Sequence, residues 1–188
     1  DEQKTLFELE TSLKFLIVRD PFERVVSAYK NKILTSTLPN YLKKQKYIVK
    51  NYRKNSSSPT DKDGKPTFEE YIDFLIDNIN NNVTEGSVKW LDAHWIPITT
   101  RCFPCALDYD LIIKFETLHK DSNYLIQNCH LHDKIHLIWC NDSESQKEDI
   151  SVYFKKLAND KVLRLYEYYK YDFILFGYDF EQYLPNET

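Results

Sequence analysis

The sequence predicts an α/β fold in which helices flank a parallel sheet, and two observations support this prediction. Two short apolar runs of strand length, Phe15 to Val18 and Leu111 to Phe115, lie far apart in the chain. Between them and after them, apolar residues recur at the spacing of amphipathic helices. Strands separated by helices are typical of a parallel sheet, because parallel neighbours need a long crossover connection.

The first predicted strand leads directly into a helix. Asp20 is a suitable N-cap, Pro21 suits the first helical position, and Glu23 occupies the place of a capping-box carboxylate. The residues that follow have helical spacing and predict one buried face. That face is formed by Phe22, Val25, Val26, Tyr29 and Ile33.

The segment from residue 38 to residue 66 is expected to be a variable or flexible loop inside a single domain that spans residues 1–188. Its second half is rich in serine, lysine, aspartate and proline, a composition typical of loops. A second helix is predicted to begin after Thr67, with Glu70 at the capping-box position. Its apolar face is expected to consist of Phe68, Tyr71, Ile72, Leu75, Ile76 and Ile79.

The remainder of the chain continues the alternation. Residues 88–109 have an irregular, aromatic pattern, and the second strand follows them. Apolar periodicity then predicts helices over residues 122–129, 146–158 and 160–171. The chain shows no internal repeat, and its longest apolar runs are far shorter than a membrane span requires.

Three polar side chains lie around the junction of the first strand and helix. Arg19 ends the strand, while Arg24 and Ser27 occupy the less apolar side of the helix. A guanidinium and a hydroxyl beside a helix N-terminus are suited to binding phosphate. The alternative is that Arg19 pairs with a carboxylate inside the fold.

The run RDPFERVVSAYKNKI, which begins at Arg19, resembles the 3′-phosphate-binding element of Golgi carbohydrate sulfotransferases. This family includes the chondroitin and dermatan 4-O-sulfotransferases, which use 3′-phosphoadenylyl sulfate as the sulfuryl donor. The resemblance implies that Arg19 and Ser27 hold the 3′-phosphate of that donor. Arg24 is a third candidate for donor binding because it lies on the same side of the helix.

The resemblance continues downstream in matching order, to about residue 180. His94-Trp95-Ile96-Pro97, Cys102-Phe103-Pro104-Cys105, Tyr109-Asp110 and the run Lys114 to Leu118 are similar to the HW-x-P, C-x-P-C, YD and KFETL segments of the family. Asp172-Phe173, Phe176 and Tyr178 are similar to its closing D-F-x-x-F-x-Y signature. Each fragment alone is weak, and their shared order makes the resemblance specific.

The resemblance implies a P-loop-like sulfotransferase fold and an enzyme that sulfates a carbohydrate hydroxyl by in-line transfer. Positive side chains and a base are needed for such a transfer, and no metal is required. His94 is the only histidine inside a family-like segment, so it is the candidate base or acceptor-binding residue. A histidine with a tryptophan and a proline close by is more often a packed core residue, and that alternative stays open.

One family element has no match in this sequence. The lysine-containing phosphate loop that holds the 5′-phosphosulfate normally precedes the arginine motif, and only a short segment precedes Phe15 here. The expectation is therefore the C-terminal part of a Golgi-lumenal, type II single-pass membrane protein, anchored by a segment outside this chain. The alternative is a secreted, non-catalytic module of the same fold that binds acidic glycans or a protein partner.

Sequons and cysteines favour the secretory pathway. Glycosylation sequons begin at Asn55, Asn82, Asn141 and Asn186, whereas chance would give roughly one or two. The four cysteines, Cys102, Cys105, Cys129 and Cys140, form an even set that favours disulfides. A zinc site with His130 or His132, and free buried thiols, are the alternatives.

Residues 41–54 form a basic stretch in an otherwise acidic chain. The stretch carries six lysines and arginines and no acid, while the whole chain has a net charge of −4. Interleaved tyrosines and lysines suit a polyanion, which for this family would be an acidic glycan such as chondroitin or dermatan. The acidic remainder disfavours nucleic acid. The alternative is a solvated loop whose lysines bind nothing specific.

Overall fold

Residues 2–54, 64–81, 92–131, 133–134 and 149–184 are described by a computed structural model of the chain. The chain divides into two compact units, and its organisation as a single domain stays a prediction. The sheet unit comprises Asp1–Asp20 and Ile98–Glu148, and the helical unit comprises Pro21–Pro97 and Asp149–Thr188. The described structure is mostly helical with a small parallel sheet, which confirms the α/β class and the parallel pairing.

The described elements follow one another in chain order. They are α1 (Glu2–Thr11), β1 (Phe15–Val18), α2 (Pro21–Ala28), a π-helix (Tyr29–Leu34), α3 (Pro39–Tyr52), α4 (Phe68–Asn81), α5 (Ile98–Cys102), β2 (Leu111–Lys114), a 3₁₀ turn (Phe115–Thr117), α6 (Leu118–Asn128), α7 (Ser151–Phe154), α8 (Asn159–Phe176) and a second 3₁₀ turn (Glu181–Tyr183).

The sheet of the first unit consists of β1 and β2 in parallel, with Phe15 opposite Leu111 and Val18 opposite Lys114. Successive side chains alternate between the two faces. Leu16, Val18 and Ile113 are buried, whereas Phe15, Ile17 and Ile112 are exposed. Phe15 and Ile17 lie on one face of the sheet, with the buried Ile113 opposite Ile17, whereas Ile112 lies on the other face, opposite the buried Leu16. Each face of this small sheet therefore carries both buried and exposed apolar residues.

The helical unit has an aromatic core. Phe22 of α2 lies at its centre, stacked on Phe154 with ring centroids 4.3 Å apart and meeting Phe173 edge-on at 5.1 Å. Tyr169 of α8 and Tyr183 also contact the Phe22 ring. Offset and edge-on aromatic pairs stabilise beyond the area that they bury, so these rings fix α2 against α7 and α8.

The helix that follows β1 confirms the predicted apolar face. Its predicted members are all buried, and the hydroxyl of Tyr29 donates to the carbonyl of Pro66 at 2.9 Å. The backbone changes from α-helix to π-helix at Tyr29, two residues after Ser27. Short π-helical segments are frequent at functional sites.

The expected loop over residues 38–66 contains a helix in its first half. Pro39 occupies the first turn of α3, where a missing backbone N–H costs nothing. Tyr41, Lys44 and Ile48 are buried on one side of α3. Residues 55–63 lie outside the described residues.

The predicted capping box at the start of α4 is confirmed. Thr67 Oγ1 accepts a hydrogen bond from the Glu70 N–H at 3.2 Å, and Glu70 Oε2 accepts one from the Thr67 N–H at 2.8 Å. Arg53, at the end of α3, donates to Glu70 Oε1 at 2.9 Å. The same carboxylate therefore caps α4 and ties α3 to it.

The later helices are present with shifted bounds. The helix expected at 122–129 begins earlier, and the one expected at 146–158 is observed as the short α7, with residues 146–148 outside the described part. The helix expected to end at residue 171 continues to Phe176. It stops there because Gly177 adopts φ 62°, the left-handed conformation that commonly ends helices.

The structure describes only some of the residues on which the expected disulfides and glycosylation sites depend. Cys102, Cys105 and Cys129 are free thiols, which contradicts disulfides at these three positions. Cys140, His132 and the sequons at Asn55, Asn82, Asn141 and Asn186 lie outside the described residues. Across the described ranges, no helix is both long and apolar enough to cross a membrane.

Candidate functional site

The carboxyl edge of the two-stranded sheet carries the first group of candidate residues. Because β1 and β2 are parallel, the residues that follow them meet at one edge. The Arg19 guanidinium lies 4.7 Å from the ring centroid of Phe115. The Asp20 N–H donates to Glu116 Oε1 at 2.8 Å. Phe115 thus orients the Arg19 side chain, and Glu116 holds the backbone at Asp20.

Arg19 is half-buried and stacked, so its guanidinium has a defined orientation. Carboxyl edges of parallel strands are where α/β proteins gather ligands. This placement agrees with the position that the sequence predicted for Arg19. Lys114 and Glu116 also lie at the end of β2, where Glu116 accepts a hydrogen bond from the Asp20 backbone.

Ser27 and Arg24 belong to the helical unit and lie on α2. The Ser27 hydroxyl is partly exposed and accepts a hydrogen bond from Asn31 Nδ2 at 3.3 Å. It does not point into the core, so it is accessible to a ligand. The shared phosphate contact of Arg19 and Ser27 stays a prediction, since each residue lies in a different unit.

Arg24 has a partner inside the helical unit. Its Nη2 lies 3.5 Å from Oδ2 of Asp172, a fully buried carboxylate of α8, and its guanidinium faces the Tyr169 ring at 5.8 Å. Arg24 Nε and Nη2 are inaccessible to solvent and have no hydrogen-bond partner among the described residues. The geometry therefore favours an internal ion pair over a donor ligand for Arg24.

A second group of polar residues forms what we call the Asp92 cluster: Tyr41, Lys44, Asp92, His94 and Trp95. Lys44 Nζ lies 2.6 Å from Asp92 Oδ2, and His94 Nδ1 lies 2.6 Å from Asp92 Oδ1. The His94 N–H also donates to Asp92 Oδ1, at 3.1 Å. Each carboxylate oxygen therefore has its own partner.

Aromatic rings enclose the ammonium of the Asp92 cluster. Lys44 Nζ lies 4.7 Å from the Trp95 ring centroid and 4.9 Å from that of Tyr41. The faces of aromatic rings attract cations, and more strongly where water is excluded. Lys44 is buried, which corrects its assignment to an exposed polyanion-binding stretch.

The electrostatics of the cluster keep Asp92 ionised. Burial alone would raise the pKa of Asp92, but hydrogen bonds from Lys44 and His94 outweigh it and lower the pKa from 3.8 to about 2. Burial raises the pKa of Tyr41, and the nearby Asp92 carboxylate raises it further. The cluster is thus a fixed negative charge held between an ammonium and an imidazole.

His94 is not the packed core residue of the alternative interpretation. Its side chain is 44% exposed, whereas the neighbouring Trp95 is 3% exposed. Two core residues hold Trp95 in place. The Tyr169 hydroxyl donates to the Trp95 carbonyl, and the Tyr71 ring contacts the indole ring edge-on. The turn therefore places the indole in the core and the imidazole at the surface.

Metal ligation finds no support in the part of the chain that is described. Within those ranges no three His, Cys, Asp or Glu side chains come together in a metal-binding arrangement. His119 and His130 are exposed, while His136 lies outside the described residues.

Comparison with known proteins places the chain in a family. A profile of the sulfotransferase family matches residues 2–179. The chain belongs to the sulfotransferase family. This match confirms the resemblance drawn from the arginine motif and from the ordered fragments downstream.

The curated relatives are carbohydrate sulfotransferases. Carbohydrate sulfotransferase 11 of Mus musculus is 32% identical over 179 residues, which cover 94% of this chain and 49% of that protein. Carbohydrate sulfotransferase 8 of Mus musculus is 29% identical over 95% of this chain and 42% of its own length. Carbohydrate sulfotransferase 14 of Danio rerio is 31% identical over 93% and 45%.

The chain spans about half the length of the curated relatives that it matches. No solved structure matches it significantly. Because no solved relative offers a site for comparison, the structural part of a functional assignment rests on the residues at the sheet edge and in the Asp92 cluster.

Proposed function

We propose that the protein transfers a sulfuryl group from 3′-phosphoadenylyl sulfate to a hydroxyl of a carbohydrate. The observation that carries the proposal is Arg19, held by Phe115 at the carboxyl edge of a parallel sheet in a member of the sulfotransferase family. The relatives' names support a carbohydrate acceptor. The same reasoning supports a P-loop-like sulfotransferase fold, with β1 and β2 in its nucleotide-binding sheet.

In this proposal Arg19 and Ser27 hold the 3′-phosphate of the donor. A guanidinium offers charge-assisted hydrogen bonds to phosphate oxygens, and a serine hydroxyl adds one more. Arg19 is oriented by its contact with Phe115, and Ser27 is partly exposed on the first helix after the strand. Both features fit a phosphate. Because Arg24 pairs with the buried Asp172, we propose that it supports the helix rather than contacting the donor.

The transfer itself makes one bond and breaks one. The oxygen of the acceptor hydroxyl bonds to sulfur, the bond between sulfur and the phosphate oxygen of the donor breaks, and adenosine 3′,5′-bisphosphate leaves. The hydroxyl proton must pass to a base. His94 is the proposed base, because it is exposed and one of its ring nitrogens is already engaged by a carboxylate.

The acceptor is proposed to be an acidic glycan such as chondroitin or dermatan. Lys43, Lys46 and Lys50 are exposed and lie at helical spacing on α3. They form a positive row on the side opposite to Tyr41, Lys44 and Ile48. Such a row suits a repeating polyanion, although its reach is limited to about 8–10 Å by salt.

The relatives also support a proposal for the cellular location of the protein. Carbohydrate sulfotransferases with acidic glycan acceptors work where those glycans are made, so we propose the Golgi lumen and a type II single-pass anchor. Fluorescence microscopy of the tagged intact protein tests this. Staining that coincides with a Golgi marker supports the proposal, and cytosolic staining contradicts it.

The decisive experiment measures donor binding and transfer in the intact protein. Titration with adenosine 3′,5′-bisphosphate should show that Arg19→Gln loses about 1.5–3 kcal/mol of binding, or roughly 10- to 150-fold in affinity. Arg101→Gln is the matched control, because Arg101 is exposed in the same unit. Equal binding by wild type and Arg19→Gln would remove Arg19 from the site.

A second arm tests the reaction and the acceptor. Sulfate from labelled 3′-phosphoadenylyl sulfate should appear on desulfated chondroitin or dermatan. Changing Lys43, Lys46 and Lys50 together to Gln should raise the KM for the glycan and weaken its salt dependence. Glycan binding without donor binding or transfer would indicate a non-catalytic glycan-binding module.

A further inference from the structure

We propose that Asp92 and Lys44 are positioning residues for His94, and that they hold its proton on Nδ1 so that Nε2 receives the proton of the acceptor hydroxyl. This inference rests on the proposed sulfuryl transfer. It assigns a role to two residues that lie 48 positions apart in the chain and that no sequence motif connects.

The first step is the tautomer of His94. Its Nδ1 has two neighbours, Asp92 Oδ1 at 2.6 Å and the Tyr41 hydroxyl at 3.3 Å. The carboxylate is the shorter and charged partner, and an ionised carboxylate can only accept. The neutral imidazole must therefore carry its hydrogen on Nδ1. Its Nε2 then has a free lone pair, with no hydrogen-bond partner among the described residues.

The second step is the orientation of the carboxylate. Asp92 Oδ2 accepts from Lys44 at 2.6 Å, and Oδ1 accepts from His94. A carboxylate with one partner can rotate, whereas this one is fixed at both oxygens. Lys44 in turn is held between the Tyr41 and Trp95 rings, and it comes from a helix packed in the core.

The third step is the proton balance. As the hydroxyl oxygen bonds to sulfur, its proton moves to Nε2 and the ring becomes an imidazolium. The positive charge is then stabilised by Asp92, which stays ionised because the bonds from Lys44 and His94 lower its pKa. The proton later returns to water from Nε2. Tyr41, Lys44 and Asp92 are the titratable groups that face the ring on its Nδ1 side.

The test uses the intact protein and three variants. His94→Gln should lower kcat by roughly 10²–10⁴, the range that general bases contribute. Asp92→Asn and Lys44→Met should lower kcat by at least about tenfold, since part of that contribution depends on orientation, while KM for the glycan and affinity for adenosine 3′,5′-bisphosphate change less than about twofold. Lys44→Arg keeps the charge and should recover part of the loss.

Matched controls are exposed residues of the same types. Asp160→Asn, Lys156→Met and His119→Gln should leave kcat unchanged, because these side chains are exposed and outside both groups of site residues. Folding of each variant is checked by its amide NMR spectrum. If Asp92→Asn does not fold, Lys44→Met and Lys44→Arg decide the question.

Imidazole ¹⁵N chemical shifts of the intact protein give a readout that does not need activity. His94 should show the Nδ1–H tautomer in wild type and lose that preference in Asp92→Asn. An Nε2–H tautomer in wild type overturns the inference, and so does an active enzyme whose kcat is unaffected by Asp92→Asn and Lys44→Met. A wild type that transfers no sulfuryl refutes the proposed function instead, whatever the tautomer.

Discussion

The sheet unit and the helical unit hold their candidate residues in different ways. In the sheet unit, apolar residues of both strands are exposed, the Arg19 side chain is oriented by the Phe115 ring, and the N–H of the next residue is held by Glu116. In the helical unit, the Asp92 cluster lies on a core of interlocked aromatic rings. The difference separates a sheet edge whose neighbouring apolar residues are exposed from a rigid scaffold.

The contrast arises because the strand and the helices bury different shares of their surfaces. Residues on β1 are alternately buried and exposed, so only half of the strand contributes apolar burial. In helices α2, α4 and α8, by contrast, the buried residues form a continuous stripe along one side of the helix. These stripes include the rings of Phe22, Tyr71 and Tyr169. Site residues that must be positioned to within a fraction of an ångström are better supported by such packed helices than by a strand with one buried side.

The largest expected effect is the loss of the central ring of the helical unit. Phe22→Ala should lower the free energy of unfolding by about 3–5 kcal/mol, because a fully buried ring leaves a cavity. Phe7→Ala in the sheet unit, where the side chain is 64% exposed, should cost less than about 0.5 kcal/mol. Urea unfolding of the intact protein measures both. Similar losses would refute the contrast between the units.

The next effect concerns the pair of Arg24 and Asp172. Asp172→Asn leaves the largely buried guanidinium without its charge partner and should cost about 3 kcal/mol. The double change Arg24→Met with Asp172→Leu should recover most of that loss, because no buried charge then remains. If donor binding falls in the double variant while stability is restored, Arg24 contacts the donor after all.

Much of the framework could be predicted from the sequence because it depends on local patterns. The strand Phe15–Val18, its parallel pairing with Leu111–Lys114, and the box between Thr67 and Glu70 all follow from apolar spacing and capping chemistry. The position of Arg19 at a strand end follows from the same patterns. Its ring partner Phe115 could not be deduced, since the contact depends on the register of the two strands.

The Asp92 cluster could not be predicted, because its members are brought together by tertiary packing. The segment 38–66 is predicted to be a loop from the composition of its second half, and the charge of residues 41–54 predicts a basic stretch that includes Lys44. One signal was available in the sequence. Tyr41, Lys44 and Ile48 have helical spacing, which places Lys44 on the apolar side if the segment is a helix.

The rigid scaffold also makes a prediction about pH. Because the folded-state pKa of Asp92 is about 2 and its ordinary value is 3.8, its ionised form stabilises the fold by roughly 2 kcal/mol above pH 4. That contribution is lost as pH falls through the folded-state pKa. The difference in unfolding free energy between wild type and Asp92→Asn should therefore be constant above about pH 5 and shrink below about pH 4.

Chemical denaturation of both proteins at several pH values measures this difference. Asp160→Asn serves as the control, because its side chain is 79% exposed and its only ion pair within the described residues, with Arg164, is long at 3.8 Å. The control should show no such dependence on pH. A difference between wild type and Asp92→Asn that stays constant down to pH 3 would mean that Lys44 and His94 do not hold the carboxylate.

The smallest expected effect lies within the sheet unit and compares neighbours on one strand. Val18 is 1% exposed and Ile17 is 48% exposed. Val18→Thr should cost about 1–3 kcal/mol, because it buries a hydroxyl, whereas Ile17→Thr should cost no more than about 0.5 kcal/mol. Urea unfolding of the intact protein distinguishes them. Equal losses would mean that other residues of the protein cover the side of β1 that carries Ile17, and the sheet edge would then be as well supported as the helical scaffold.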